Sequence, residues 1–181
     1  DRMDYIANFN NEMVYCMAVE KLMGLTVPER AEYVRVILCE LNRIASHLLF
    51  VATIGLDAGA MTPSMICFRG RERVQALFEA VSGARMMHNY FRVGGIKEDL
   101  PDNFGKMVGE LLPLLREDVE ESDKLLTFNE IFLARLKNVG VISAEDALDY
   151  GLTGPCLRAC GVDYDLRKAQ PYSVYDRFDF D

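Results

Sequence analysis

Histidine is almost missing from this sequence: His47 and His88 are the only two in 181 residues, leaving little material for imidazole metal sites or general-base chemistry. Basic residues are also short, 20 against 28 acidic, and the formal charge of −8 excludes the basic footprint of a general nucleic-acid binder. No stretch reaches the roughly 18 uninterrupted apolar residues of a membrane helix. The longest, Ile44 to Ala60, is shorter and carries His47 and Asp57, so no direct membrane span is expected. P-loop, G-x-S-x-G and H-E-x-x-H motifs are absent. Gly94-Gly95 lacks the strand–turn–helix setting of a dinucleotide fingerprint. The five cysteines (Cys16, Cys39, Cys67, Cys156 and Cys160) form an odd set with no regular framework. The first three sit in apolar helical contexts, where a free thiol acts as a small hydrophobe. Cys156 and Cys160 offer only two ligands with no histidine beside them. All five read as structural, and the compartment as reducing.

What is present is ordinary globular material, half apolar and about a quarter charged. The sequence opens on Asp1 without an initiator methionine or signal-peptide pattern and ends on Asp-Phe-Asp. It is expected to be an excised middle portion of a longer protein. The expected fold is mainly α, one domain with a helix bundle over 1–126 and a lobe of short helices and loops over 127–181.

Apolar residues recur at spacings of three and four over Asn11–Gly24 and Pro28–Asp57, which predicts two helices, with Pro28 in the first turn of the second. Thr62-Pro63 reads as N-cap and first helical residue of a third helix closed by Gly83. Asp102–Leu125 gives a fourth, which Pro113 should kink or split. Ser143-Ala-Glu-Asp146 is a weakened capping box for a short last helix. Val93-Gly94-Gly95-Ile96 is a connector, and no strand hairpin is expected.

Among individual residues, His47 reads as packed or hydrogen-bonded in the core, and His88 as a functional candidate with packing as its alternative. Glu117, Asp118, Glu120, Glu121 and Asp123 read as a solvated helix face. Asp57 closes an apolar helix between Leu56 and Ala58, so its carboxylate is expected to be buried or partnered, by the backbone or at a site. Tyr5 suits either core packing or hydrogen bonding to a carbonyl ligand.

Several motifs follow one another in an order that carries a family resemblance. They are Arg2-Met-Asp-Tyr5, Ala18-Val-Glu-Lys-Leu22, Arg43-Ile-Ala-Ser-His-Leu48 and Asp57-Ala-Gly-Ala-Met-Thr-Pro63. Arg69-Gly-Arg-Glu-Arg73, Gly83-Ala-Arg-Met-Met-His-Asn-Tyr-Phe-Arg92 and Asp99-Leu-Pro101 come next. Gly151-Leu-Thr-Gly-Pro155, Leu157-Arg-Ala-Cys-Gly161 and Asp165-Leu-Arg-Lys168 complete the series. Together they resemble the 49-kDa (D) subunit of respiratory complex I, the NADH–quinone oxidoreductase, over essentially the whole chain.

The resemblance implies a fragment of the hydrogenase-large-subunit-like fold, inactive alone. It implies a peripheral place on the cytoplasmic side of the inner or plasma membrane, or on the matrix or stroma side in an organelle. Its partners would be the terminal-cluster subunit, the 30-kDa-type subunit and the membrane-arm quinone-site subunit. The chain would hold no redox cofactor itself: quinone is the substrate, the [4Fe–4S] cluster belongs to a partner, and NAD is used elsewhere in the complex. By the same resemblance Tyr5 hydrogen-bonds a quinone carbonyl, Thr53 lines the head-group pocket, Asp57 partners a quinone-binding histidine, and Arg2 lies near the cluster. The sequence departs from the family's pattern in two places. The partner histidine falls upstream of Asp1. Met87 stands where many members have a histidine, which implies a cluster potential that responds weakly to pH, to be checked by redox titration.

Two rival readings remain. Large subunits of membrane-bound [NiFe] hydrogenases are similar over Glu20 to Leu49, but Asp4 and Ala7 occupy their first cysteine pair and cannot replace soft thiolates. A structural scaffold, with quinone handled elsewhere, is the other. Apolar surface that partners would cover is expected to make the isolated chain associate.

Overall fold

The computed structural model describes residues 3–180. Two compact units divide the chain, residues 3–135 and 136–180.

The first unit is built on four helices, α1 (Asn8–Met23), α2 (Glu29–Asp57), α3 (Met61–Ser82) and α4 (Phe104–Leu126). Helix α2 packs against α1 and, most extensively, α3, and α4 lies on α3. Their facing stripes bury Phe9, Leu38, Ala52, Cys67, Val74 and Phe78 almost completely. Each large side chain removed from water this way is worth about 1.5–3 kcal/mol. The protein is mainly α, as expected.

The helix boundaries show where local chemistry overrides periodicity. Helix α1 starts three residues early, because the Asp4 carboxylate accepts the Ile6 and Ala7 N–H groups at 2.9 Å each. It ends, like α3, on a left-handed glycine, Gly24 and Gly83 respectively. Pro28 is not in the first turn of α2 but just outside it, extended at ψ 137°, and its carbonyl takes the first helical bond from Glu32. Helix α3 begins at Met61 after Ala60, so Thr62-Pro63 lie inside its first turn rather than at the cap. Pro113 does not split α4, which is continuous through it.

Where a plain connector was expected, a two-residue antiparallel hairpin forms, β1 (Phe91–Arg92) with β2 (Gly95–Ile96). Side chains of α1 and α2 hold it. Glu12 accepts the N–H groups of Asn89, Tyr90 and Phe91 at 2.6, 2.9 and 2.9 Å, and Asn8 Oδ1 accepts that of His88 at 2.8 Å. The Arg35 guanidinium, fully buried, donates to the carbonyls of Arg92 and Gly95 and to both oxygens of Glu20, while Glu20 also accepts Gly94 N–H.

By length and composition alone α2 passes as a membrane-crossing helix, because a window average tolerates the charges that interrupt any purely apolar run. In the fold it is the central helix of the first unit, and the buried Arg35 on its inner face pairs with Glu20 of α1.

After α4 the helices shorten to α5 (Glu130–Leu136), α6 (Ala144–Asp149), α7 (Gly154–Ala159) and α8 (Leu166–Ala169), then a 3-10 turn at Tyr175–Arg177. Ser143 caps α6 as expected, accepting Asp146 N–H at 3.0 Å, but α6 is not the last helix. The second unit buries Ala147, Leu157, Val174 and Tyr175. Within it Asp165 caps α8 and pairs with Arg167, whose guanidinium lies 4.6 Å from the Phe180 ring centre.

Candidate functional site

Tyr5 sits in the segment leading into α1, and its main chain is fixed from two helices. Asn42 of α2 donates to Ile6 O at 3.1 Å and accepts Phe9 N–H, and Arg71 of α3 donates to Ala45 O at 3.0 Å and to Tyr5 O at 3.4 Å. Burial pushes the Arg71 guanidinium below its ordinary pKa, with the Asp4 charge opposing. The Tyr5 ring points outward, 62% exposed, and its hydroxyl has no partner among the described residues. Of the two alternatives the sequence left open, core packing is the one this geometry does not give.

Thr53 and Asp57 are one turn apart on α2 and both exposed. The Thr53 hydroxyl donates into its own helix, with Leu49 O and Phe50 O both at 3.0 Å, so Oγ1 keeps acceptor capacity toward solvent. Asp57 is neither buried nor partnered, contrary to expectation: its carboxylate makes no hydrogen bond or ion pair among the described residues. The reason is that α2 ends there and the chain turns away at Ala58–Ala60, so the side chain projects past the packed stripe. At 100° per residue, Asn42, Thr53 and Asp57 lie within one edge of α2. Thr53 is roughly 16 Å along the axis from Asn42 and Asp57 one turn further. Tyr5 therefore lies beside the middle of α2 and Asp57 at its C-terminal end, rather than at a single point. Arg2 lies outside the described residues.

Open space lies beside this edge rather than on it. A cavity of about 340 Å3 runs between α2, α3 and α4, lined by Ile44, His47, Val51, Val119 and Leu126 among others. Another, of about 430 Å3, is lined by Met3, Glu12, Tyr15, Asn89 and Arg92 with their neighbours. The space touching Tyr5, Asn42, Arg71 and His88 is only about 10 Å3, room for one water at most.

The two histidines reverse the expected burial. His47, expected in the core, is exposed on α2 at the cavity rim. His88 is buried, stacked on Phe9 with ring centres 4.3 Å apart, and its Nδ1 lies 3.0 Å from Ala84 O. Burial holds its pKa below the ordinary value, which the Ala84 carbonyl only partly opposes. It is therefore packed, with its neutral form favoured by burial.

Several buried charged groups escape the sequence reading. Asp118, read as part of a solvated face, is completely buried, held by Arg69 Nη2 at 2.6 Å and Arg73 Nη1 at 2.5 Å. Glu12, Glu20 and Arg35 are others. The signal was present: Leu111, Leu115, Asp118, Ser122 and Leu126 share one stripe of α4, and Phe9, Glu12, Cys16 and Glu20 one stripe of α1. A charge on a buried stripe must be paired. Glu20 is an example: burial works against its charge, but Arg35 and Gly94 N–H outweigh it and keep the carboxyl below its usual range.

Three of the five cysteines, Cys16, Cys39 and Cys67, are buried, and burial raises all three thiols. Cys156 is exposed and Cys160 partly so, and all five are free.

Comparison with known proteins adds what geometry alone does not. The family model of the respiratory-chain NADH dehydrogenase 49 Kd subunit matches residues 57–181. The D subunit of an NADH-quinone oxidoreductase from Chlorobaculum tepidum is 49% identical over 181 residues, 100% of this chain and 45% of the relative. The D subunits of the same name from Citrifermentans bemidjiense and Geotalea uraniireducens are 52% and 51% identical over 180 residues, 99% of this chain and 46% of each relative. The chain thus spans just under half the length of the curated relatives it matches.

Proposed function

This chain belongs to the 49-kDa subunit family of respiratory-chain NADH dehydrogenases, and from that premise we propose that it forms part of the quinone cavity of a proton-translocating NADH–quinone oxidoreductase. The observation that carries the reading is the family match, with about half the residues identical across the whole chain. The exposed Tyr5 hydroxyl and Asp57 carboxylate, without partners among the described residues, support it, since groups committed to the fold would not be available to a ligand.

Reducing a quinone adds two electrons and two protons, and negative charge builds on its oxygens as the electrons arrive. A phenol aimed at one oxygen favours that change, which is the role assigned to Tyr5. Asp57 would orient and charge-balance a histidine supplied from outside this sequence, so that the pair can deliver a proton. Thr53, with its hydrogen turned into the helix, would line the pocket as an acceptor rather than a donor. Electrons would come from a [4Fe–4S] cluster held by the neighbouring terminal-cluster subunit, with Arg2 near it, and NADH would be oxidised elsewhere in the assembly. The 30-kDa-type and membrane-arm quinone-site subunits complete the proposed surroundings, with the chain peripheral to the membrane.

The hydrogenase alternative loses further ground at Asp4. Its carboxylate is already engaged by the N–H groups of Ile6 and Ala7 and by Asn11 Nδ2, so it starts a helix and is not free to ligate.

Replacing Tyr5 by Phe in the intact complex keeps the ring and deletes only the hydroxyl. Quinone-dependent turnover is expected to fall at least severalfold while electron transfer to an artificial acceptor upstream persists. Unchanged quinone turnover would remove the central residue of this mechanism.

A further inference from the structure

Helix α2 closes in a way that leaves one group to be satisfied from far away. Gly59, at φ +85°, turns the chain so that Ala60 N–H returns to Gly55 O at 2.8 Å and Gly59 N–H to Leu56 O at 2.9 Å, a Schellman end. Ala58 N–H takes Ile54 O at 3.0 Å. The carbonyl of Ala58, a buried residue, gains nothing from these bonds. Its partner is the Arg135 guanidinium, which comes from α5, 77 positions later, and donates through Nη1.

Two further observations make this contact specific. A Cβ built at Gly59 would collide with Arg135 Nη1, so the guanidinium lies directly over the one residue of the corner that has no side chain. The last turn of α2 also contains no basic residue and ends on Asp57, placing an acid at the negative end of a 29-residue helix. Arg135 supplies the positive charge this end lacks. Its own helix is anchored by Asn129, whose Oδ1 accepts Ile131 and Phe132 N–H at 3.0 and 3.1 Å.

We propose that Arg135 is a positioning residue for Asp57: by bonding Ala58 O across Gly59 it fixes the α2–α3 corner and sets where the neighbouring carboxylate is presented. The inference rests on the reading of Asp57 as a quinone-site group. Arg135 touches no substrate in this scheme and acts only through the corner.

The test uses the intact complex, a short-chain water-soluble quinone, and an artificial acceptor upstream as reference. R135Q is expected to lower quinone kcat severalfold with KM and the artificial-acceptor rate retained, because presentation rather than binding is disturbed. D57N is expected to lower kcat at least as far, and R135Q/D57N no further than D57N, since the arginine acts through the aspartate. G59A, which both places a Cβ where the guanidinium lies and strains the corner at φ +85°, is expected to lower quinone kcat at least as far as R135Q. If D57N leaves quinone turnover unchanged, the proposed role of Asp57 fails and this inference with it. If D57N acts but R135Q does not, or their effects multiply, this inference alone is overturned. Should R135Q lose both reactions in step through poor assembly, R135M, which keeps the aliphatic stem and removes every donor, decides: a selective kcat loss supports the proposal, and wild-type quinone kcat overturns it.

Discussion

Taking a guanidinium out of water costs several kcal/mol unless the whole of its donor fork is filled. Arg35 has none of its surface open, and its donors reach Glu20, Arg92 O and Gly95 O. Arg35→Met is expected to destabilise the fold by about 3–5 kcal/mol, because it leaves the Glu20 carboxylate buried without its counter-charge. Chemical denaturation of the isolated chain measures this. Adding Glu20→Leu should recover only part of the loss, since Gly94 N–H would lose its side-chain acceptor and Arg92 O and Gly95 O would each lose the Arg35 donors. Recovery in full would show that the hairpin does not depend on these side chains.

Between elements, α3 meets both α2 and α4 closely at Gly70. A Cβ there would lie 3.0 Å from Asp118 Oδ2 and 3.1 Å from Leu48 Cδ1, and Asp118 cannot retreat because Arg69 and Arg73 hold both its oxygens. Gly70→Ala gains up to about 1 kcal/mol of helix propensity but incurs an overpacking cost of about 1–3 kcal/mol. The net expectation is a lower melting temperature, and a rise would mean that α4 shifts freely. At this scale the four long helices could be read from the sequence, because a buried stripe repeats every three or four residues. Their starts were less readable, since Pro28 and Thr62-Pro63 fit more than one position in a first turn. The hairpin was invisible for another reason: two-residue strands carry no alternation, and this one is held by Glu12, Glu20 and Arg35 from distant helices. The candidate site was named by resemblance. Only the fold shows that Tyr5 lies beside the middle of α2 while Asp57 closes its C-terminal end, and nothing local to Arg135 points to Ala58.

The chain as a whole comprises two units with separate cores, so acid should not affect both through the same groups. In the second unit the Arg167 side chain holds the Asp165 carboxyl down at about 2, with burial opposing. A depressed carboxylate contributes its stability above the unfolded value, near 3.9, and loses it as pH falls through the folded one. The expected loss is about 2 kcal/mol between those limits, visible in residues 136–180 by hydrogen exchange or NMR and absent in Asp165→Asn. An unchanged acid limb in that variant would place the sensitivity elsewhere. The grip of α1 and α2 on the hairpin has a consequence for divergence among relatives. Asn8, Glu12, Glu20 and Arg35 all take hold of main-chain atoms, so the path of residues 88–95 is held through the backbone as well as by the buried His88, Tyr90 and Phe91 side chains. Met87, just before the first of these anchors, sits at φ 56°, a left-handed position that histidine tolerates better than most residues. A histidine in its place would therefore fit the same backbone and change the local chemistry, while the scaffold stays where it is.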